Sequence, residues 1–208
     1  MKKLVIASGN PGKLREFGQM LAPLGYEIVP QSALGIADAE EPHATFVENA
    51  LAKARHASRL ANMPAFADDS GICVAALGGE PGVHSARYAG APAAGEPAGR
   101  EAQDARNNRK LIDTLANERD RSAHYYCVIV LVRHPDDPEP LIAEGRWHGE
   151  VILEPRGSNG FGYDPYFHLP AFGRTAAELD AVEKNEVSHR GQALKHLVAR
   201  LIEHPAWT

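Results

Sequence analysis

Cysteine is nearly absent from this 208-residue chain, and the two that occur, Cys73 and Cys127, sit in apolar stretches. That excludes a disulfide framework, leaves no zinc-type spacing, and reads as buried thiols in a reducing cytoplasm. Positive charge is also scarce: 22 Lys and Arg stand against 27 Asp and Glu, for a net charge of −5. A nucleic acid or an anionic membrane needs a basic footprint, so neither is expected as a partner, and an anionic substrate would have to meet a local cluster of cations. No apolar run approaches membrane-span length, no signal-peptide h-region opens the chain, and no repeat or low-complexity tract occurs. A cytoplasmic protein is expected. With 44% hydrophobic residues the chain can build one good core and is short for two, so a single domain over 1–208 is expected.

What is present is a clear alternation of elements. Leu4 to Ala7 reads as a buried strand, and Leu14, Phe17, Leu21 and Leu24 then recur at helical spacing. Tyr26 to Pro30 reads as a second strand, and Thr45-Phe46-Val47-Glu48 is a capping-box signature opening a helix to about Ala61. Ala65 to Ala67 and Ile72 to Leu77 read as strands flanking Asp68-Asp69-Ser70-Gly71. After a surface loop at Gly90 to Arg100, a helix is expected from about Ala105 to Ala116 and a strand at Tyr125 to Val132. Leu141 to Leu153 reads as a hairpin turning near Trp147-His148-Gly149, and Ser188 caps a last helix striped with Leu194, Leu197, Val198, Leu201 and Ile202. Helices and strands alternate early and strands cluster late, which predicts an α/β class with a mixed sheet.

Several stretches carry chemistry. Ser8-Gly9-Asn10-Pro11-Gly12-Lys13 has the ingredients of a P-loop, but two residues rather than four separate the first glycine from the Gly-Lys, and Leu14 follows the lysine. It is either a phosphate grip of another type, using helix-start N–H groups and a lysine, or an ordinary strand-to-helix turn. Asp68 and Asp69 end an apolar strand, where carboxylates are costly without a partner; Mg²⁺, which takes carboxylate and phosphate oxygens, is an obvious one. Successive strand side chains point to opposite faces, so one of the two enters a site; the alternative is a capped turn. Glu40 and Glu41 are further carboxylates for the same ion or a solvated pair, and Lys53 shares a helix face with Asn49. Asn159-Gly160-Phe161-Gly162-Tyr163-Asp164 sets an aromatic between glycines, suited to stacking a flat base or to plugging a loop onto the core. Lys184 and His189-Arg190 flank the last helix start.

Taken together, SGNPGK, EEPHATFVENALAKA, ADDSG, LGGEPGVHSARYAG, GFGYDP and EKNEVSHRGQAL, in that order from Ser8 to Leu194, resemble the Ham1-like, or inosine triphosphate pyrophosphatase, nucleotide hydrolases. Six pieces in order over most of the chain make the resemblance specific; Gly90 to Arg100 is longer than the family pattern. The resemblance implies a long mixed sheet flanked by helices, with two lobes around a central cleft. It implies Mg²⁺-dependent hydrolysis of ITP, dITP and XTP to the monophosphate and pyrophosphate by a homodimer. Carried over by motif, Ser8, Gly9, Asn10, Pro11, Gly12, Lys13 and Lys53 hold phosphates. Asp69 accepts the proton and binds the ion, Glu40 is the second metal acid with Glu41 as its alternative, and Ser70 touches substrate. Phe161, Gly162, Tyr163, Asp164, Lys184, His189 and Arg190 surround the nucleotide, with Phe161 stacking on the base and Arg190 donating to its 6-oxo group. The competing readings are a hydrolase of different base preference, as in Maf-like enzymes, and a nucleotide-binding regulatory module without turnover.

Overall fold

The N-terminal apolar run forms β1 (Lys2–Ile6), whose Leu4, Val5 and Ile6 are fully buried. Such a run, without polar alternation, suits a strand covered on both faces, and β1 pairs in parallel with β2 (Tyr26–Pro30) and with β3 (Ala65–Val74). The computed structural model describes residues 2–8 and 11–204. Helix α1 (Pro11–Leu21) follows β1 with proline at its first position, where the missing N–H costs nothing, and buries Phe17 and Leu21 one turn apart. Helix α2 (Phe46–Ala61) begins at Thr45, whose hydroxyl accepts from Glu48 N–H at 3.3 Å, and ends at Asn62 in the left-handed region, φ 51°. Then come α3 (Arg100–Leu115), β4 (Ser122–Val132), β5 (Leu141–Val151), β6 (Phe167–Leu169), β7 (Arg174–Thr175), α4 (Ala181–Val187) and α5 (His189–Glu203).

Among the described residues these strands form one mixed seven-stranded sheet in the order β2-β1-β3-β4-β5-β6-β7, antiparallel from β5 to β7. The α/β mixed-sheet expectation therefore holds. No helix among the described residues is long and apolar enough to cross a membrane. The chain divides into two compact units: Met1–Asp69, Cys127–Gly145 and His189–Thr208 form the first, and Ser70–Tyr126 and Arg146–Ser188 the second. The first has a core of Leu4, Ile6, Phe17, Phe66, Ile129, Leu131 and Leu197, with Leu194, Leu197, Val198 and Leu201 of α5 forming the predicted apolar stripe; Ile202, expected in that stripe, is exposed. The second has an aromatic core in which Tyr125 meets Phe167 edge-on, ring centroids 4.7 Å apart, beside Trp147.

Three expectations are corrected. The segment 141–153 is not a hairpin: β5 runs unbroken through Gly145 and Gly149, which serve close approach. A side chain at Gly145 would strike the His189 carbonyl and Ala193 N of α5, and one at Gly149 would strike the His168 carbonyl and the Phe167 ring. Residues 65–74 form one strand rather than two flanking a turn, because the buried Asp68 and Asp69 find cationic partners beyond the strand. Cys73 is only half-buried, whereas Cys127 is buried and its thiol is pushed up to about 12 by desolvation. Helix α4, opened by an Asp180–Glu183 capping box, has too few apolar residues for its periodicity to show in the sequence.

Candidate active site

In the first unit, β3 carries two adjacent carboxylates that α1, α2 and α5 neutralise separately. Asp68, with a side chain 1% exposed, accepts from Lys13 Nζ of α1 at 2.6 and 2.8 Å and pairs with Arg190 Nε of α5 at 3.8 Å. Burial alone would raise its pKa, but the Lys13 and Arg190 charges outweigh it and hold the carboxyl at about 2. Asp69 accepts from Lys53 Nζ at 3.2 Å and Asn49 Nδ2 at 3.2 Å, both from α2 and one turn apart. Here burial wins: desolvation, reinforced by Glu41, raises Asp69 above the ordinary carboxylate value against the pull of Lys53. Lys53 also reaches Glu41 Oε1 at 2.9 Å; burial would lower its pKa, yet Asp69 and Glu41 together raise it. Asn49 is itself braced, accepting from His43 N–H and donating to His43 O at 3.1 and 3.2 Å.

In the second unit the turn at 160–164 presents one aromatic ring over a satisfied acid. Phe161 is 45% exposed, with Arg100 of α3 4.8 Å and Lys184 of α4 5.1 Å from its ring centroid. Beneath it Asp164, 3% exposed, accepts from Phe161 N–H at 2.8 Å, Lys184 Nζ at 2.5 Å and Tyr125 OH at 3.4 Å. Gly160 must be glycine: φ is +78°, and a side chain there would collide with the Asp164 carboxylate. Helix α3 grips the next residue from both sides, Gly162 N–H donating to Asp104 Oδ2 at 3.1 Å and Asn108 Nδ2 donating to Gly162 O at 2.9 Å. Tyr163 points inward, its hydroxyl donating to Ser85 O at 2.8 Å.

The paired carboxylates with their lysines suit a charged ligand, and the exposed ring on its glycine turn suits a flat group. The Ham1 family model matches residues 4–200. The chain belongs to the Ham1 family. It is 65% identical to a dITP/XTP pyrophosphatase of Ralstonia nicotianae over 201 residues, 97% of each chain, and 60% identical to one of Nitrosomonas europaea, covering 98% of this chain and 96% of that one. Among solved structures it is similar to a HAM1 protein from Coxiella burnetii, with TM-score 0.90, 48% identity, and coverage of 98% of this chain and all of the other. The Ham1 protein of Staphylococcus aureus matches with TM-score 0.85, 38% identity, and 97% and 99% coverage.

Against this Ham1 background the sequence-predicted residues fall into two sets. Lys13, Lys53, Asp69 and Arg190 are brought together in the first unit, with the buried His189 at the start of α5. Phe161, Gly162, Asp164 and Lys184 are brought together in the second. Gly9 and Asn10 lie outside the described residues; Pro11 and Gly12 form the first turn of α1, just ahead of Lys13. Ser8 follows β1 half-buried, and Ser70 continues β3 directly after Asp69. Of the two loop acids, Glu41 is half-buried and tied to Lys53, whereas Glu40 is exposed. Asp104, Asn108 and Tyr125 were not singled out in the sequence; Asp68 stood out there beside Asp69 as a carboxylate on an apolar strand, and Asn49 by its four-residue spacing to Lys53.

Among the described residues no three metal-type side chains are gathered as a ready cage. The donor chemistry nevertheless fits a divalent ion: Asp69 and Glu41 are hard oxygen donors already sharing one cation, the Lys53 ammonium, and Mg²⁺ completes its shell with water and substrate phosphate.

Proposed function

We propose that this chain hydrolyses the non-canonical purine nucleotides ITP, dITP and XTP to the monophosphate and pyrophosphate, clearing deaminated purines from the nucleotide pool. The observation that carries the reading is Asp69, buried on β3 between Lys53 and Asn49, with Glu41 on the far side of the same lysine. Its raised proton affinity suits a group that takes a proton from the attacking water. Asn49 and Lys53 fix the carboxylate's orientation, so the base is positioned before substrate arrives.

Charge balance supports a metal requirement. Glu41, Asp68 and Asp69 face Lys13, Lys53 and Arg190, three acids against three cations, so the group is nearly neutral while a triphosphate brings several negative charges. Mg²⁺ held by Asp69 and an acid of the 40–41 pair, with Glu41 the better placed, would neutralise charge on the phosphates. Residues Ser8 to Lys13 and Lys53 are assigned to the phosphates, Ser70 to substrate contact, Phe161 to Asp164 with Lys184 to the base end, His189 to the nucleotide's surroundings, and Arg190, assisted by backbone N–H groups near the start of α5, to the 6-oxo group. We assign the whole chain, 1–208, to one nucleotide pyrophosphatase domain, working as a homodimer in the cytoplasm on a small-molecule substrate without nucleic acid.

The test is a product assay with ITP and Mg²⁺. Inosine monophosphate and pyrophosphate in equal amounts are expected, with little release from ATP or GTP. Orthophosphate release, or equal turnover of all purine triphosphates, would defeat the reading, and binding without turnover would favour a regulatory module. Removal of the metal with a chelator should abolish turnover, and Mg²⁺ should restore it.

A further inference from the structure

Arg100 is the first residue of α3 and is exposed, and its guanidinium lies over the Phe161 ring, 4.8 Å from the centroid. Among the described residues it makes that ring contact and no hydrogen bond or ion pair. Its neighbours differ. Lys184, the other cation at the ring, is committed to Asp164 at 2.5 Å, and Arg106 on the same helix donates to Pro97 O at 2.8 Å and to Gln103. Arg100 therefore keeps five donors and a full charge at the one exposed aromatic of the turn.

That position is imposed by the helix. Arg100, Asp104 and Asn108 are spaced four apart and share a face, and the last two hold the N–H and C=O of Gly162. The helix is thus registered on the residue after Phe161, which places the guanidinium at the ring rather than in open water.

We propose that a base stacking on Phe161 displaces the Arg100 guanidinium from over the ring to the base's edge, where it reads the 2-position, favouring xanthine and disfavouring guanine. The inference rests on the reading of this chain as a nucleotide pyrophosphatase. A guanidinium only donates. It matches the 2-oxo group of xanthine, whose nucleoside is largely anionic at neutral pH, and opposes the 2-amino group of guanine, which also donates. Hypoxanthine carries only hydrogen at that position and neither gains nor loses. Inosine and xanthosine nucleotides are thereby accepted while guanosine nucleotides, which share the 6-oxo group, are refused.

The experiment compares XTP, ITP and GTP, all ribonucleotides, with wild-type protein, R100Q and R100K in the presence of Mg²⁺, reading kcat and KM from pyrophosphate release. Titration of XMP against IMP provides a readout independent of turnover. For R100Q we expect kcat/KM for XTP to fall roughly tenfold or more, the scale of losing a charge-assisted hydrogen bond, with ITP changed by less than about threefold and the XTP-to-GTP ratio narrowed. XMP binding should weaken more than IMP binding, and R100K should restore part of the XTP rate. Equal losses for XTP and ITP would make Arg100 a phosphate or structural residue, and an unchanged XTP-to-GTP ratio would also overturn the proposal. Wild-type protein that releases no pyrophosphate from ITP would defeat the functional reading itself, a result distinct from either of these.

Discussion

The polar group of the first unit and that of the second solve the problem of buried charge differently. In the first, Asp68 and Asp69 are adjacent on one strand yet partitioned, Asp68 to Lys13 and Arg190, Asp69 to Lys53 and Asn49. The Lys13 and Arg190 charges hold Asp68 low against its burial, whereas burial and Glu41 raise Asp69 above an ordinary carboxylate despite Lys53. In the second, the buried acid Asp164 is satisfied by the turn's own N–H, by Lys184 and by Tyr125, Asp104 takes the N–H of Gly162, and what remains exposed is a ring with Arg100 over it. The first group sets carboxylates against cations in the described pairs; the second presents a ring with a guanidinium over it. On the proposed reading, reaction and recognition fall to different side chains, and each can be broken separately.

The largest expected effect is on the proton acceptor. Asp69→Asn should lower turnover by about 10²–10⁴-fold while nucleotide binding persists, measured as pyrophosphate release beside equilibrium titration. A variant keeping more than roughly a tenth of wild-type turnover would erase the distinction between the two carboxylates.

Asp68→Asn tests the other member of the pair through stability. A carboxyl at about 2 in the folded chain, against 3.8 unfolded, stabilises the fold above pH 3.8 and loses that contribution as pH falls through 2. The variant should be about 2 kcal/mol less stable at pH 7, by denaturant unfolding, and the gap should close on acidification. A gap independent of pH would mean that packing, not charge, makes Asp68 matter.

In the second unit, Gly160→Ala forces a side chain into φ +78° against Asp164 and should cost about 1–2 kcal/mol. KM for ITP should rise more than kcat falls, since the ring is displaced and the carboxylates of the first unit are untouched. A fall in kcat alone would break the division between the two groups. Smallest of all, Tyr125→Phe removes one 3.4 Å hydrogen bond from an acid that keeps two better ones. About 1 kcal/mol or less of stability should be lost, with selectivity between ITP and GTP unchanged.

The local chemistry was legible in the chain because it is carried by contiguous residues. Thr45 with Glu48 marked the start of α2, the Asn49–Lys53 spacing marked its working face, and Asp69 and Phe161 stood out as a charge on an apolar strand and a ring between glycines. Gly149 misled for a physical reason: a glycine that admits a neighbouring backbone or ring reads like a turn glycine until that neighbour is known. By itself the sequence determined the order of most elements and the α/β class, and it named candidates for acid, metal and stacking chemistry. All of these follow from periodicity, capping and residue type, which act over a few positions. Only the tertiary structure decided that Lys13 belongs to Asp68 and Lys53 to Asp69, that Glu41 rather than Glu40 reaches the lysine, and that Arg100 stands at the Phe161 ring. Those pairings join residues 12 to 61 positions apart, and the energy of a charge pair depends on distance and burial in the folded chain, neither of which is written at any single position.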